Sequence, residues 1–208
     1  LIATGPTGSG KTTTLYALLS RRATGREKVI TVEDPVEYQV PGVTQVPVIA
    51  AAGMTFASAL RSILRQDPDV VMVGEMRDRE TAAIAAQAAM TGHLVLSTLH
   101  TNDALSALAR LQDLGVEPFL MASTLIGVLA QRLVRVLCTA CRERGSGIEL
   151  IPADTEGGWL HVPSSYSAAG CNECRGSGYR GRTGIYELLP VTSAMRELLA
   201  RAPTPHEL

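Results

Sequence analysis

The sequence predicts an α/β fold in which a mainly parallel sheet lies between helices, joined to a small lobe that carries four cysteines. Three observations support this prediction. Apolar strand patterns alternate with amphipathic helix patterns along residues 28–114, which is typical of a parallel sheet covered on both faces. A glycine-rich loop precedes the first helix, and two Cys-x-x-Cys pairs follow the alternating elements.

The glycine-rich loop is a phosphate-binding motif, because residues 5–12 read GPTGSGKT and match G-x-x-x-x-G-K-[ST]. Its glycines allow tight turns that direct successive N–H groups at phosphate oxygens. Lys11 supplies a positive charge for the β- and γ-phosphates, and Thr12 can ligate Mg²⁺. A glycine-rich turn that binds nothing is the alternative. We predict that ATP is contacted by Gly5, Pro6, Thr7, Gly8, Ser9, Gly10, Lys11, Thr12 and Thr13.

The next elements alternate between strand and helix. The β-branched run Lys28–Glu33 predicts a short strand that ends in acidic residues. Residues Thr55–Gln66 predict an amphipathic helix, with apolar side chains on one face and arginines on the other. The apolar run Asp69–Glu75 predicts a buried strand that again ends in an acid.

The later elements continue the pattern. Asp78 is a helix-capping residue type, so a helix is predicted over Arg79–Met90. Residues His93–His100 predict another buried strand. Two helices are then predicted, over Thr101–Leu114 and over Pro118–Val136.

Candidate catalytic side chains follow three of the predicted strands. Glu33, Asp34 and Glu37 follow the first, Glu75 ends the second and His100 ends the third. Open α/β sheets bind ligands at the carboxyl ends of their strands. ATP hydrolysis needs a group that positions water, an acid near Mg²⁺ and a polar sensor of the γ-phosphate. Any one of these residues alone could instead be a solvated loop residue. The predicted catalytic set is Lys11, Glu33, Glu75 and His100.

The four cysteines form two pairs, Cys138-x-x-Cys141 and Cys171-x-x-Cys174. An ATP-binding protein works in a reducing compartment, where disulfides are rare. Two such pairs match a tetrahedral, structural Zn²⁺ site without an open position for water. Spare thiols and redox pairs are the alternatives.

The chain has 208 residues and is expected to divide into three parts. These are an ATPase core over 1–137, a zinc-binding lobe over 138–182 and a C-terminal helical segment over 183–208. Only Leu1–Thr4 precede the phosphate loop and no initiator Met is present, so we expect a piece of a longer protein. No apolar run reaches the about 20 residues that a membrane span needs.

Charge and composition argue against two other classes of nucleotide-binding protein. A formal net charge of −1 and 4% aromatic residues give no basic channel or stacking surface for nucleic acid. A switch GTPase would carry an N-K-x-D segment, which does not occur in the sequence.

Several segments stand in the order found in the secretion-traffic ATPases, which the chain resembles. They are GPTGSGKTTTLY, TVEDPVEY, LRSILRQDPDVVMVGEMRD, ETAAIAAQAAMTGHLVLSTLHTNDA and AQRLVRVLC-x-x-C. The family includes the type II secretion ATPase (general secretion pathway protein E), the type IV pilus assembly ATPase PilB and pilus retraction motors. The resemblance implies a RecA-like P-loop ATPase core. It also implies Glu33 as the water-activating carboxylate, Glu75 as the Walker B acid, and His93 and His100 as the His-box histidines.

The resemblance further implies a function and partners. The paired cysteines and the segment GYRGRTGIYELL are typical of the zinc-bearing branch, and RTGIYELL favours type II secretion. We therefore expect an ATP-hydrolysing motor domain that powers pseudopilus assembly, with type IV pilus assembly as the alternative and a nucleic-acid-translocating motor as a more distant one. The implied cofactors are ATP, Mg²⁺ and Zn²⁺.

The implied assembly is a homo-hexamer of the full-length protein. It would lie in the cytoplasm, peripheral to the bacterial inner membrane, and contact membrane-platform and cytoplasmic-domain proteins, with no nucleic acid. An amino-terminal domain of the family supplies arginines to the phosphates, and this sequence does not contain that domain.

Overall fold

The structure is a computed structural model that describes residues 1–145, 149–152, 159–162 and 165–201. The chain forms two compact units, one of Leu1–Arg132 with Ile185–Leu208 and one of Leu133–Gly184. The predicted three-part division at 137/138 and 182/183 stays a prediction.

Eleven strands are present in the described part of the chain. They are β1 (Ile2–Thr4), β2 (Val29–Glu33), β3 (Val43–Pro47), β4 (Val70–Val73), β5 (Leu94–Leu99), β6 (Gly127–Leu137), β7 (Arg142–Arg144), β8 (Glu149–Pro152), β9 (Trp159–Val162), β10 (Tyr166–Ala168) and β11 (Tyr179–Pro190). Seven of them form one sheet in the order β11-β6-β1-β5-β4-β2-β3. The pairs from β6 to β3 are all parallel, so the carboxyl ends of β1, β2, β4 and β5 lie at one edge.

The described part of the chain also has six α-helices. They are α1 (Lys11–Arg22), α2 (Phe56–Leu64), α3 (Arg79–Met90), α4 (Ala104–Asp113), α5 (Pro118–Thr124) and α6 (Ser193–Ala200). Thr55, Asp78 and Asp103 each accept a hydrogen bond from a backbone N–H of the first turn, at α2, α3 and α4 respectively. These caps satisfy N–H groups that have no partner within the helix. None of the described helices has the length and apolar character to cross a membrane.

Both faces of the sheet are buried at its central strands β2 and β4, as the predicted α/β fold requires. Alternate residues of β4 point to opposite sides. Val71 and Val73 join a core with α2, α3 and α4, while Val70 and Met72 join a second core with Leu15 and other apolar residues of α1. The predicted α/β fold with a mainly parallel sheet is confirmed.

The predicted helix over Pro118–Val136 is wrong beyond its first two turns. Helix α5 ends at Thr124, Leu125 is extended, and β6 begins at Gly127. Strand β6 pairs in parallel with β1, with Val128 opposite Ile2. A continuous apolar run fits a buried helix and a buried strand equally well, and the free edge of β1 decides between them because it supplies hydrogen-bond partners.

Two further differences concern strands that the sequence analysis did not predict. Strand β3 pairs in parallel with β2 and extends the sheet at one edge. The segment 183–208 was predicted to be helical, but β11 continues to Pro190 and the helix α6 covers only Ser193–Ala200. Residues 202–208 of that segment lie outside the described residues.

The second unit is built from short antiparallel pairs. Strand β7 pairs with β10, and β8 pairs with β9. A short 3-10 helix, Asn172–Cys174, contains Cys174 and has Cys171 as its N-cap residue.

Candidate functional site

The phosphate loop has the backbone geometry that its motif predicts. Gly5, Gly8 and Gly10 have φ values of 143°, 76° and 86°, which favour glycine. A Cβ at Gly5 would lie 2.3 Å from the carbonyl oxygen of Gln131, so no side chain fits there. Helix α1 starts directly after the loop with no side-chain cap and no acid in its first turn. Its N-terminal N–H groups are therefore available to an anion.

Lys11 is folded back into the loop. Its ammonium donates to the carbonyl oxygens of Gly5 (2.7 Å) and Pro6 (3.0 Å), and the residue is buried. Burial lowers the pKa of Lys11, and the charge of Glu75 raises it. Both acceptors are neutral, whereas phosphate oxygens would give this ammonium stronger, charge-assisted hydrogen bonds.

Gln131 on β6 holds the loop to the sheet. Its side-chain amide donates to the carbonyl oxygen of Ser9 at 2.7 Å and accepts from the Thr14 hydroxyl at 2.7 Å. The Ser9 hydroxyl is buried and has no hydrogen-bond partner among the side chains and backbone that the structure describes. Buried hydroxyl groups without a hydrogen-bond partner are rare in native proteins, so this hydroxyl in the loop fits a site that binds a polar ligand. Sequence analysis missed Gln131 because β6 was predicted as helix.

A second group of charged residues follows β4 and β5. Glu75, whose side chain is 12% exposed, lies 2.5 Å from a guanidinium nitrogen of Arg77 and 3.6 Å from Nε2 of His100. The hydrogen bond to Glu75 raises the pKa of Arg77. Lys11, His100 and Glu75 follow the neighbouring parallel strands β1, β5 and β4, so the structure brings three members of the predicted catalytic set to the carboxyl ends of adjacent strands.

Glu33 is placed differently from Glu75. The residue is 2% exposed, and its carboxylate accepts hydrogen bonds from the hydroxyl of Tyr16, the hydroxyl of Thr31 (2.6 Å) and the amide of Gln45 (3.1 Å). Asp34 and Glu37, which follow it, are both exposed. The prediction that Glu33 activates water stays a prediction, and in the structure three protein donors already contact its carboxylate.

His93 is not brought to this edge. Its Nδ1 lies 2.9 Å from the carbonyl oxygen of Ala88, before the start of β5. All six residues of β5 lie between His93 and His100, which corresponds to about 23 Å at the usual rise of a strand. The two histidines therefore lie at opposite ends of β5.

The four cysteines form one cluster. Their Sγ atoms all lie within 4.8 Å of one another, and three of the pairs are 3.8 to 3.9 Å apart. A tetrahedron with Zn–S bonds of about 2.3 Å has an edge of about 3.8 Å, whereas a disulfide would need about 2.05 Å. All four cysteines are free, so the described geometry fits a zinc ion.

Hydrogen bonds to sulfur support the same interpretation. The backbone N–H groups of Cys171 and Gly178 both donate to Sγ of Cys174 at 3.1 Å. These bonds, that of Cys171 first, lower the pKa of the Cys174 thiol, whereas the pKa of the neighbouring Cys141 thiol is raised. A thiolate is the form that binds metal.

Replacing Cys174 by serine is expected to remove the metal. The change should reduce bound zinc from one ion per chain to none and increase amide hydrogen exchange in residues 165–184, because metal binding stabilises the lobe. ATP affinity should change little, since the cysteines lie outside the phosphate loop. Elemental analysis and exchange mass spectrometry measure both effects, with Ser167→Ala in the same lobe as the control. Equal zinc content in Cys174→Ser would contradict the assignment.

The chain matches one protein family along its whole length. Residues 1–208 match the family described as type II/IV secretion system protein. The chain is 55% identical over 208 residues to Type II secretion system protein HxcR of Pseudomonas aeruginosa, covering 100% of the chain and 41% of that protein. It is 54% identical over 205 residues to Type II secretion system ATPase E of Vibrio cholerae, covering 96% of the chain and 40% of that protein.

A pilus protein is also similar. Type IV pilus assembly ATPase TfpB of Acinetobacter baylyi is 49% identical over 217 residues, covering 100% of the chain and 36% of that protein. The chain thus spans 36% to 41% of the length of these relatives. Among solved structures, the pilus retraction motor PilT with bound ADP matches with a TM-score of 0.68 and 32% identity, over 97% of this chain and 50% of PilT.

Proposed function

We propose, from the premise that the chain belongs to the type II/IV secretion system protein family, that it is the ATP-hydrolysing motor domain of a protein that powers type II secretion. The observation that carries the proposal is the convergence of a glycine-rich loop, Lys11, Glu75 and His100 at one edge of a parallel sheet. Such an edge is where α/β proteins bind nucleotides.

Type II secretion is favoured over pilus assembly by the degree of similarity. The relatives named for type II secretion are 54% to 57% identical to the chain, and the pilus assembly ATPase is 49% identical. We propose that ATP hydrolysis by this domain produces a movement that drives assembly of a pseudopilus at the inner membrane. Type IV pilus assembly is the second candidate.

The phosphate loop would bind the nucleotide. Its backbone N–H groups and the start of α1 face the phosphates, and Lys11 exchanges the carbonyl oxygens of Gly5 and Pro6 for β- and γ-phosphate oxygens. Thr12, partly exposed at the start of α1, would hold Mg²⁺ through its hydroxyl. When bound, Mg²⁺ supplies positive charge that neutralises the phosphates.

Glu75 and His100 would act on the same phosphates from the ends of β4 and β5. Glu75 would provide the acid near Mg²⁺, and the side chains of Arg77 and His100 lie next to its carboxylate. We propose that His100 contacts the γ-phosphate. In this proposal His100, which follows β5, senses the γ-phosphate, and Glu75, which follows β4, contributes to its hydrolysis.

Water activation would fall to a carboxylate that follows β2. The resemblance assigns this role to Glu33, but the Glu33 carboxylate is covered by three donors, whereas Asp34 and Glu37 are exposed. A group that positions water must lie within hydrogen-bond reach of it. We therefore propose that Asp34 or Glu37 positions the water.

The cofactors and partners belong to the same proposal. The cysteine cluster would hold Zn²⁺ as a structural ion. The full-length protein would form a homo-hexamer at the cytoplasmic face of the bacterial inner membrane and act on platform and cytoplasmic-domain proteins of the secretion machine. Arginines from the amino-terminal domain would complete the charge around the phosphates, where such a residue contributes about 10³–10⁵-fold in rate.

The full-length protein is expected to hydrolyse ATP in the presence of Mg²⁺ and to prefer ATP to GTP. Phosphate release with each nucleotide, with and without EDTA, measures this directly. Single-stranded DNA and RNA should leave the rate unchanged, because a formal net charge of −1 and 4% aromatic residues do not favour binding of nucleic acid. Strong stimulation by nucleic acid would instead favour a nucleic-acid motor, and the absence of hydrolysis with every nucleotide would contradict the proposal.

A further inference from the structure

We propose that Glu33 is a positioning residue. Through Tyr16 and Gln45 it fixes the loop between β2 and β3, residues 34–42, against the helix that follows the phosphate loop. The exposed carboxylates of Asp34 and Glu37 are thereby held at one place relative to the phosphates. The inference rests on the proposed ATPase function and adds to it the residues that set the geometry of the reaction.

The first step is that the Glu33 carboxylate is fully engaged within the protein. Oε2 accepts from the Tyr16 hydroxyl, and Oε1 accepts from Thr31 and from Gln45. A buried carboxylate is stable only when such donors replace water. The buried charge of Glu33 therefore requires these hydrogen bonds, and the hydrogen bonds in turn hold the donor side chains in fixed positions.

The second step is that Tyr16 links Glu33 to the loop. Since its hydroxyl hydrogen is donated to Glu33, the oxygen can only accept from other groups, and the backbone N–H of Glu37 approaches it at 3.3 Å. The ring of Tyr38 meets the ring of Tyr16 edge-on, with centroids 4.7 Å apart. Burial, and then the hydrogen bond to Glu33, raise the pKa of Tyr16, so the hydroxyl stays a donor at all working pH values.

The third step is a second connection through β3. The amide nitrogen of Gln45 donates to Glu33 and also approaches the carbonyl oxygen of Tyr38 at 3.1 Å. Its amide oxygen accepts from the N–H of Val40 at 2.7 Å. The loop is therefore held at Glu37, Tyr38 and Val40, and both connections meet at the Glu33 carboxylate.

The fourth step relates this network to the phosphates. Tyr16 and Lys11 lie on the same helix, α1, so a loop fixed to Tyr16 is also fixed to the phosphate-binding residues. Displacement of a reacting group by about 1 Å can cost about 10²-fold in rate. The network can therefore control hydrolysis without touching ATP.

The test uses Tyr16→Phe in the full-length protein, which removes the hydroxyl and keeps the buried ring. The kcat for Mg·ATP should fall by about 10²-fold with KM unchanged, since the phosphate loop is intact. Amide hydrogen exchange should increase within residues 34–42 and stay unchanged in α1. Tyr166→Phe, in the cysteine lobe, is the matched control and should match the unmodified protein in both measurements.

Two further variants keep the test decisive. Tyr38→Ala removes a ring that is 53% exposed, so folding should be preserved while the loop is loosened and kcat falls. Glu33→Gln retains an oxygen that can accept from Tyr16, so its loss of kcat should be smaller than the about 10²–10⁴-fold expected for removal of a general base.

The outcomes separate this inference from the proposed function. Absence of ATP hydrolysis in the unmodified protein would contradict the proposed function itself. With an active unmodified protein, normal kcat in both Tyr16→Phe and Tyr38→Ala would overturn the inference. A large loss in Glu33→Gln with normal Tyr16→Phe would also overturn it, because Glu33 would then act directly. A rise in KM with an unchanged kcat in Tyr16→Phe would also overturn it, because the network would then act on ATP binding.

Discussion

Replacing Lys11 by alanine is expected to lower ATP hydrolysis by the full-length protein by about 10²–10³-fold, the usual cost of removing a group that stabilises charge in the transition state. The ammonium of Lys11 is buried in the phosphate loop and donates to the carbonyl oxygens of Gly5 and Pro6 in that same loop, so we expect the variant to fold. Phosphate release and binding of a fluorescent ATP analogue measure the effect.

The second lysine of the chain provides a matched control. Lys28 is exposed and precedes β2, at the opposite end of the strand from the acidic residues. Lys28→Ala should therefore leave hydrolysis unchanged, and circular dichroism should show that both variants are folded. Normal turnover in folded Lys11→Ala would show that the loop is not the nucleotide site.

Replacing Glu75 by glutamine is expected to preserve ATP binding while slowing hydrolysis by about 10²–10³-fold, the usual cost of removing a charged group that supports the transition state, here the proposed acid near Mg²⁺. The change keeps the shape of the side chain and removes the charge that faces Lys11, Arg77 and His100. Single-turnover hydrolysis together with nucleotide affinity separates the chemical effect from the effect on binding.

Glu80→Gln is the matched control for this change. Glu80 lies in the first turn of α3 and pairs with Arg61, and both side chains are at least half exposed. Exposed pairs of this kind contribute little to stability, so the variant should hydrolyse ATP normally. If Glu75→Gln turned over ATP at the rate of Glu80→Gln, Glu75 would have to be removed from the catalytic set.

Features that depend on neighbouring residues could be predicted from the sequence. The phosphate loop is one, because its glycines, lysine and helix start are consecutive. Helix α3 is another: the prediction of Arg79–Met90 with Asp78 as its cap is confirmed, since an N-cap and a short apolar period act within a few residues. The spacing of the cysteines likewise pointed to one cluster.

Features that depend on pairing across the sheet could not be predicted. Strand β6 is a strand because β1 offers it backbone partners, and Gln131 reaches the loop only after that pairing is made. The network around Glu33 depends on Tyr16 and Gln45, which lie 17 and 12 residues away in sequence. The burial of Glu33, which separates it from Asp34 and Glu37, therefore had no local signal.

The most direct test of the central claim is secretion of a type II substrate into the medium by cells whose own copy of the encoding gene is deleted. We predict that the full-length protein restores secretion and that Lys11→Ala, produced at the same level, does not. Pili, counted in the same cells, should not depend on the gene. Unchanged secretion after the deletion, or restoration by Lys11→Ala, would contradict the account of this chain as the ATP-hydrolysing motor of type II secretion.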